Sequence, residues 1–79
     1  MNKAVGLRYL LINGIAAEVY NGGTIILVAG DVQEFYDKRG AFNSTTDHHA
    51  KLWIELGRPA DLRAYIQTRG RPYGTLWGE

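Results

Sequence analysis

Apolar and polar positions follow two different periods along the chain, and the change falls near its middle. The first 35 residues read as strands. Ala4 to Ile12 is rich in Leu, Ile, Val and Tyr and stops at Asn13-Gly14, a dipeptide suited to a type I′ hairpin turn because both central positions need positive φ. Ile15 to Tyr20 follows with alternation, and Asn21-Gly22-Gly23 marks a second tight turn. Thr24 to Ala29 is the most β-prone stretch. It is expected to continue through Gly30 and Asp31 as a bulge into Val32 to Tyr36. Asp37-Lys38-Arg39-Gly40 then turns the chain toward a short fourth strand at Ala41-Phe42.

After Asn43 the period lengthens to about 3.6. Ser44, Thr45 and Thr46 offer N-caps, and Asp47 adds negative charge to a first turn. Ala50, Trp53, Ile54 and Leu56 or Gly57 line one side of a helix expected over 46–56, with Gly57 as its stop. Pro59 suits the opening of a second helix with a stripe of Leu62, Tyr65, Ile66 and Arg69, ended by Gly70. Pro72, Gly74 and Gly78 make 70–79 read as an irregular tail, where Trp77 is either a lid or a loose contact. Strands followed by helices without alternation predict an α+β sandwich. The expectation is one domain over 1–79, with strands in 1–42 and two helices in 44–69. The fold class is an antiparallel three- to four-stranded sheet with two short helices packed on one face.

Turn geometry extends the reading to faces. A two-residue Asn13-Gly14 turn pairs Ile12 with Ile15, Leu10 with Ala17, and Arg8 with Val19. Paired residues share a face. Leu10, Ile12, Ile15, Ala17 and Val19 then form the helix-covered core, and Leu7, Tyr9, Leu11, Ala16, Glu18 and Tyr20 form the other face. A two-residue second turn adds Ile25, Leu27, Ala29 and Asp31 to that second face; a three-residue turn reverses the strand's parity. Both faces are apolar, and two short helices cover one. The uncovered patch predicts a partner or self-association surface, with tyrosine a favoured anchor; the alternative is that the tail folds over it with Leu76 and Trp77.

Composition narrows the function classes. At 46% hydrophobic and 22% charged, the 79-residue chain is not a disordered tail. The absence of cysteine excludes disulfide staples and thiolate metal sites and suits a reducing cytoplasm. No apolar run reaches the roughly 20 residues of a membrane span, and Met1-Asn2-Lys3-Ala4 does not open a signal peptide. Net charge is +1, with the basic surplus in Arg58, Arg63, Arg69 and Arg71, a pattern more often a solvated face than a phosphate track. His48 and His49, the two histidines, point about 100° apart on a helix and do not make a metal site. Glu18, Asp31 and Glu34 are the carboxylates from which an acid–base pair could come, with nothing in the sequence fixing their separation. No phosphate loop is present, and the chain is short for a substrate pocket. The expectation is a non-enzymatic protein without cofactor or metal.

Arg8-Tyr9-Leu10, Ile15-Ala16, Val19-Tyr20-Asn21-Gly22-Gly23 and Gly40-Ala41-Phe42-Asn43-Ser44-Thr45, followed by a helix with Trp53, Gly57, Pro59 and a second helix, carry a likeness over about residues 7–68. In this pattern the chain resembles the phage-encoded anti-CRISPR proteins that inhibit type I (I-C or I-F) CRISPR-Cas effectors. The resemblance implies a compact α+β protein that acts in the cytoplasm of the infected bacterial host. Such a protein docks on the Cas7 backbone of Cascade and prevents target DNA binding without catalysing a reaction. It implies a contact set on the sheet face built from Tyr9, Tyr20 and Asp31, to which Glu18, Leu7 and Leu11 of the same predicted face are added. The third strand, Ile25 to Ala29, departs from the family in being far more apolar. Two other readings compete: a nucleic-acid-binding module using the arginines with Tyr65 and Tyr73, and an oligomerising phage protein whose sheet face is a homodimer seam.

Overall fold

A computed structural model describes residues 3–48 and 51–78. The strands are β1 (Ala4–Leu10), β2 (Ala16–Tyr20), β3 (Ile25–Ala29), β4 (Val32–Tyr36), β5 (Phe42–Thr45) and β6 (Arg71–Trp77), with helices α1 (Leu52–Glu55) and α2 (Leu62–Arg69) between β5 and β6. They form one six-stranded sheet in the order β5-β4-β3-β2-β1-β6, antiparallel throughout. The α+β class holds, but the sheet has six strands where three or four were expected. The two added strands come from the expected 24–36 strand, which divides at Gly30-Asp31 into β3 and β4, and from the tail; the expected fourth strand at Ala41-Phe42 is β5, extended to Thr45. The tail pairs with β1 as a sheet edge, with register shifts between Ala4 and Gly6 and between Arg8 and Tyr9.

The first turn decides the faces. Asn13 (φ 56°, ψ 31°) and Gly14 (φ 74°) both adopt left-handed backbone, and the Ile15 amide donates to the Ile12 carbonyl at 3.0 Å. This is the type I′ turn the dipeptide favours. The ladder nevertheless closes one residue earlier, because the Leu11 amide donates to the Ile15 carbonyl at 2.7 Å. Leu11 and Ile12 together oppose Ile15, so Ile12 is an extra, bulged residue and 51% exposed. The register becomes Leu10 with Ala16, Tyr9 with Ala17 and Leu7 with Val19. A one-residue slip exchanges the two faces of a strand. Leu7, Tyr9 and Leu11 therefore share the helix-covered face with Ile15, Ala17 and Val19, while Leu10 and Ile12 do not.

The remaining turns fix the other strands. Asn21-Gly22-Gly23 is a three-residue loop, closed by the Tyr20 amide on the Thr24 carbonyl at 2.9 Å, with Gly23 at φ 99°. Ile25 and Leu27 consequently lie opposite Val19 and Ala17 on the covered face. Gly30-Asp31 was expected as a bulge but joins β3 to β4 as a two-residue hairpin, with Gly30 at φ 58°. Past β4, one Asp37 carboxylate oxygen accepts from the Arg39 and Ala41 amides, each at 2.9 Å. The Ala41 bond is the main reason the Asp37 carboxyl lies below its ordinary pKa.

Helix α1 is a single turn inside the expected 46–56 span; His49 and Ala50 lie outside the described residues. Ser44 and Thr45, expected as caps, belong to β5, and the Thr46 hydroxyl accepts from the Gln33 amide and donates to the Asp31 carbonyl. The cap comes from across the core: Glu34, fully buried on β4, accepts from the Leu52 amide at 3.0 Å and the Trp53 amide at 3.2 Å. At the other end the Gly57 amide donates to Ile54 and the Arg58 amide to Trp53, a Schellman closure. Asp61 caps α2 through the Ala64 amide, so Pro59 stands in the connection rather than in the helix. Leu52, Leu56, Leu62, Tyr65 and Ile66 pack on Leu11, Ile15, Ala17, Ile25, Leu27 and Tyr36 in one core.

Candidate functional site: the open face of the sheet

Both helices bury against the same side, leaving the other side of all six strands without a covering element among the described residues. Register places one continuous row of side chains across that open face. Arg8 lies opposite Glu18, Glu18 opposite Ile26, Ile26 opposite Phe35, and Phe35 opposite Ser44. Flanking rows hold Leu10, Ala16 and Val28 on one side and Tyr20 and Leu76 on the other, the last two meeting across Gly6. The surface is thus apolar over β3 and β4 and charged over β1 and β2. Leu76 is buried yet stands apart from the core cluster, as expected of a residue on the opposite side.

Glu18 organises the polar half. One of its carboxylate oxygens accepts from the Tyr20 hydroxyl at 3.2 Å, and the other lies 3.8 Å from Arg8 Nε. Burial, then the Glu18 charge and hydrogen bond, push the Tyr20 phenol above its ordinary pKa, with Arg8 pulling the other way. Tyr20 therefore stays a neutral donor throughout the physiological range, its ring half-buried on an apolar neighbourhood. Beyond Phe35 the face runs into an open groove of about 410 Å³ lined by Thr24, Phe35, Asp37, Lys38, Asn43 and Ser44.

Of the six residues expected on a contact face, Glu18 and Tyr20 lie there. Tyr9 does not: it packs on the core, its Cβ standing 3.0 Å from where a Cβ on Gly70 would be. Leu11 is buried in the core, and Leu7 faces the helix side opposite Val19 while remaining 42% exposed. Asp31 is exposed in the β3–β4 turn, at the opposite end of β3 from Tyr20. Arg8, Ile26, Val28 and Phe35 were missed. For Ile26, Val28 and Phe35 the signal was the alternation in Thr24–Ala29 and Val32–Tyr36, readable only once the length of the second turn is known; for Arg8 it was the register at the first turn.

The other candidate chemistries are separated by the fold. Glu18 and Glu34 point to opposite sides of the sheet, and Asp31 is in a turn. Among the described residues no three His, Asp or Glu side chains gather as a metal site, and His49 lies outside them. Arg63 does structural work, donating to the Gly23 carbonyl at 2.7 Å and the Lys38 carbonyl at 3.1 Å, so it ties α2 to two turns. Arg69 lies 5.5 Å from the Tyr65 ring centre. No helix among the described residues is long and apolar enough to cross a membrane. No family model, no curated protein and no solved structure matches the chain.

Proposed function

We propose that the chain is a non-enzymatic protein-binding module that docks through the open sheet face, acting as an inhibitor of type I CRISPR-Cas immunity on the Cas7 backbone of Cascade. The observation that carries the docking reading is the uncovered row from Arg8 to Phe35, flanked by Tyr20 and Val28. Such a surface suits a protein partner because it joins apolar area to an aromatic residue with a polar tip. The choice of partner rests on the sequence resemblance. In this reading Tyr20, Ile26 and Phe35 are the anchors, and Glu18 meets basic side chains that the effector otherwise offers to nucleic-acid phosphate. Occlusion of that basic surface prevents target DNA from binding, and no bond is made or broken.

The test is a competition assay: purified type I Cascade, labelled target DNA and increasing amounts of the chain. The expected result is stoichiometric loss of the Cascade–DNA complex. Tyr20→Ala and Phe35→Ala, each a hot spot worth about 2 kcal/mol, each weaken inhibition about thirtyfold and together several hundredfold, with the fold checked by circular dichroism. Full DNA binding in the presence of excess chain, or an unimpaired double variant, overturns the reading.

A further inference from the structure

Two of the chain's asparagines precede glycine, in Asn13-Gly14 and Asn21-Gly22. Such a pair is open to attack from within, because glycine has no side chain to crowd its backbone nitrogen and leaves the backbone free to rotate. The glycine nitrogen adds to the asparagine side-chain carbonyl carbon and loses its proton, and ammonia leaves, which closes a succinimide ring. Water then adds to one of the two ring carbonyls and reopens the ring. Attack at one carbonyl gives aspartate, and attack at the other gives isoaspartate. Ring closure needs the side chain and the following peptide unit to swing together, so local opening of the fold decides which pair reacts.

The structure holds the two pairs very differently. The Asn21 side-chain amide donates to the Ala4 carbonyl at 2.7 Å, and its backbone amide donates to the Val5 carbonyl at 2.6 Å. The same loop is closed by the Tyr20 amide on the Thr24 carbonyl and the Gly23 amide on the Tyr20 carbonyl, both at 2.9 Å. Asn13 instead stands exposed at the tip of the β1–β2 turn, and its side chain makes no hydrogen bond to another described residue. The bond from the Ile15 amide to the Ile12 carbonyl closes the turn around it, beside the exposed bulge at Ile12. A Cβ built on Gly14 meets nothing within 4 Å, so nothing crowds the attacking residue.

We infer that Asn13 is a site of spontaneous deamidation, and that Asn21, in the same dipeptide, is protected by its anchors on β1. The reaction replaces a neutral amide by a carboxylate and takes the net charge of the chain from +1 to zero. The aspartate product keeps the turn, because aspartate, like asparagine, accepts the left-handed backbone of position 13 (φ 56°, ψ 31°). The isoaspartate product routes the main chain through the side-chain methylene and lengthens the turn by one backbone atom. That change falls where the register of β1 against β2 is set. This inference concerns the turn alone and stands without the docking reading.

The test is to age the purified chain in mildly alkaline buffer, once folded and once in concentrated urea, and to follow each site by tandem mass spectrometry of proteolytic peptides. In the folded chain the amide-to-acid mass gain is expected at Asn13 at least about tenfold faster than at Asn21, whose two bonds to β1 must break first. In urea those bonds are gone and the two rates converge to within a few-fold. Asn13→Gly, which keeps a residue suited to positive φ, removes the early acidic species from ion-exchange chromatography. Asn13→Asp reproduces the charge of that species with an unchanged circular dichroism spectrum, whereas the isolated isoaspartyl form unfolds at a lower urea concentration than the wild type. Equal rates at the two sites in the folded chain, faster reaction at Asn21, or a folded-state preference that persists in urea overturns the assignment. So does an Asn13 that stays an amide in the folded chain while it reacts in urea.

Discussion

Removing the buried Glu34 carboxylate should be among the most damaging single changes in the protein. It accepts three hydrogen bonds: from the Tyr36 hydroxyl at 2.8 Å, the Leu52 amide at 3.0 Å and the Trp53 amide at 3.2 Å. Lys51, the residue at the N-cap of α1, supplies no side-chain cap, so this carboxylate does that work from another strand. Glu34→Ala leaves these three donors without their acceptor and opens a cavity at a fully buried position. An unsatisfied buried donor costs about 1–3 kcal/mol, and stripping a buried charge of its partners or the reverse costs about 3–5 kcal/mol. Partial rescue by water at the opened site brings the expected loss to about 3–4 kcal/mol. A domain of this size has about 4–12 kcal/mol in all, so the variant loses about a quarter or more and melts at least about 12 °C lower. Glu34→Gln keeps the volume and one acceptor oxygen but turns an amide group toward the Leu52 or Trp53 N–H, for a loss of about 1–2 kcal/mol. Urea unfolding followed by fluorescence reports directly, since Trp53 stands at the capped turn. A Glu34→Ala variant within 1 kcal/mol of the wild type would refute the capping argument, as would equal losses for the Ala and Gln variants.

Tyr36 should make stability fall in alkali. Burial first, then the hydrogen bond and charge of Glu34, push its phenol well above the ordinary value of 10.0, so the folded state prefers the neutral form. That contribution is complete below pH 10, is lost as pH rises toward the folded value, and should shrink in Tyr36→Phe; identical alkaline limbs in urea titrations of the two proteins would argue against it. Deleting Ile12 should leave the fold within about 1 kcal/mol of wild type, because Leu11-Asn13-Gly14-Ile15 then closes as a plain two-residue hairpin in the observed register; a deletion that unfolds the chain would show that Ile12 belongs to the ladder. Gly6→Ala should lose about 2 kcal/mol or more, since its Cβ would stand 2.3 Å from the Val19 carbonyl oxygen and 2.8 Å from Tyr20 Cα, backbone atoms that cannot step aside; an unchanged melting temperature contradicts that clash.

Much of the architecture was legible because local chemistry wrote it. Asn13-Gly14, Asn21-Gly22-Gly23 and Asp37 to Gly40 mark turns whose backbone needs these residues, and Gly57 and Gly70 stop helices where the pattern placed the stops. The strand at 71–77 was hidden by Pro72 and Gly74, residues tolerated at a sheet edge and read as loop without one. Helix α1 was overextended because Ser44 to Thr46 resemble caps, whereas they extend or brace β5 and the real cap is a carboxylate 18 residues earlier than Leu52. The site suffered most from a single residue. The type I′ turn was read correctly, but nothing in the local sequence shows that the ladder resumes at Leu11 rather than Ile12. That slip moves Tyr9 into the core and brings Arg8 out beside Glu18.

The open face itself survives this exchange because it follows from dimensions rather than from register. Six strands at about 4.8 Å spacing make a sheet about 24 Å wide. An eight-residue helix is about 12 Å long and roughly 10 Å across, and a single-turn helix adds about half that length. The two together just span the middle of one side, where Ile25, Leu27 and Ala17 are sealed. Even on that side Leu7 and Phe42, near the margins, stay 42% and 49% exposed. No helical mass is left for the other side, whichever residues face it. The chain meets this by choosing side chains of intermediate exposure there, with a Glu18 carboxylate holding Arg8 and Tyr20 across the apolar row. A face meant only for water would not need Ile26, Val28 and Phe35 on adjacent strands, and their presence together is what the proposed docking rests on.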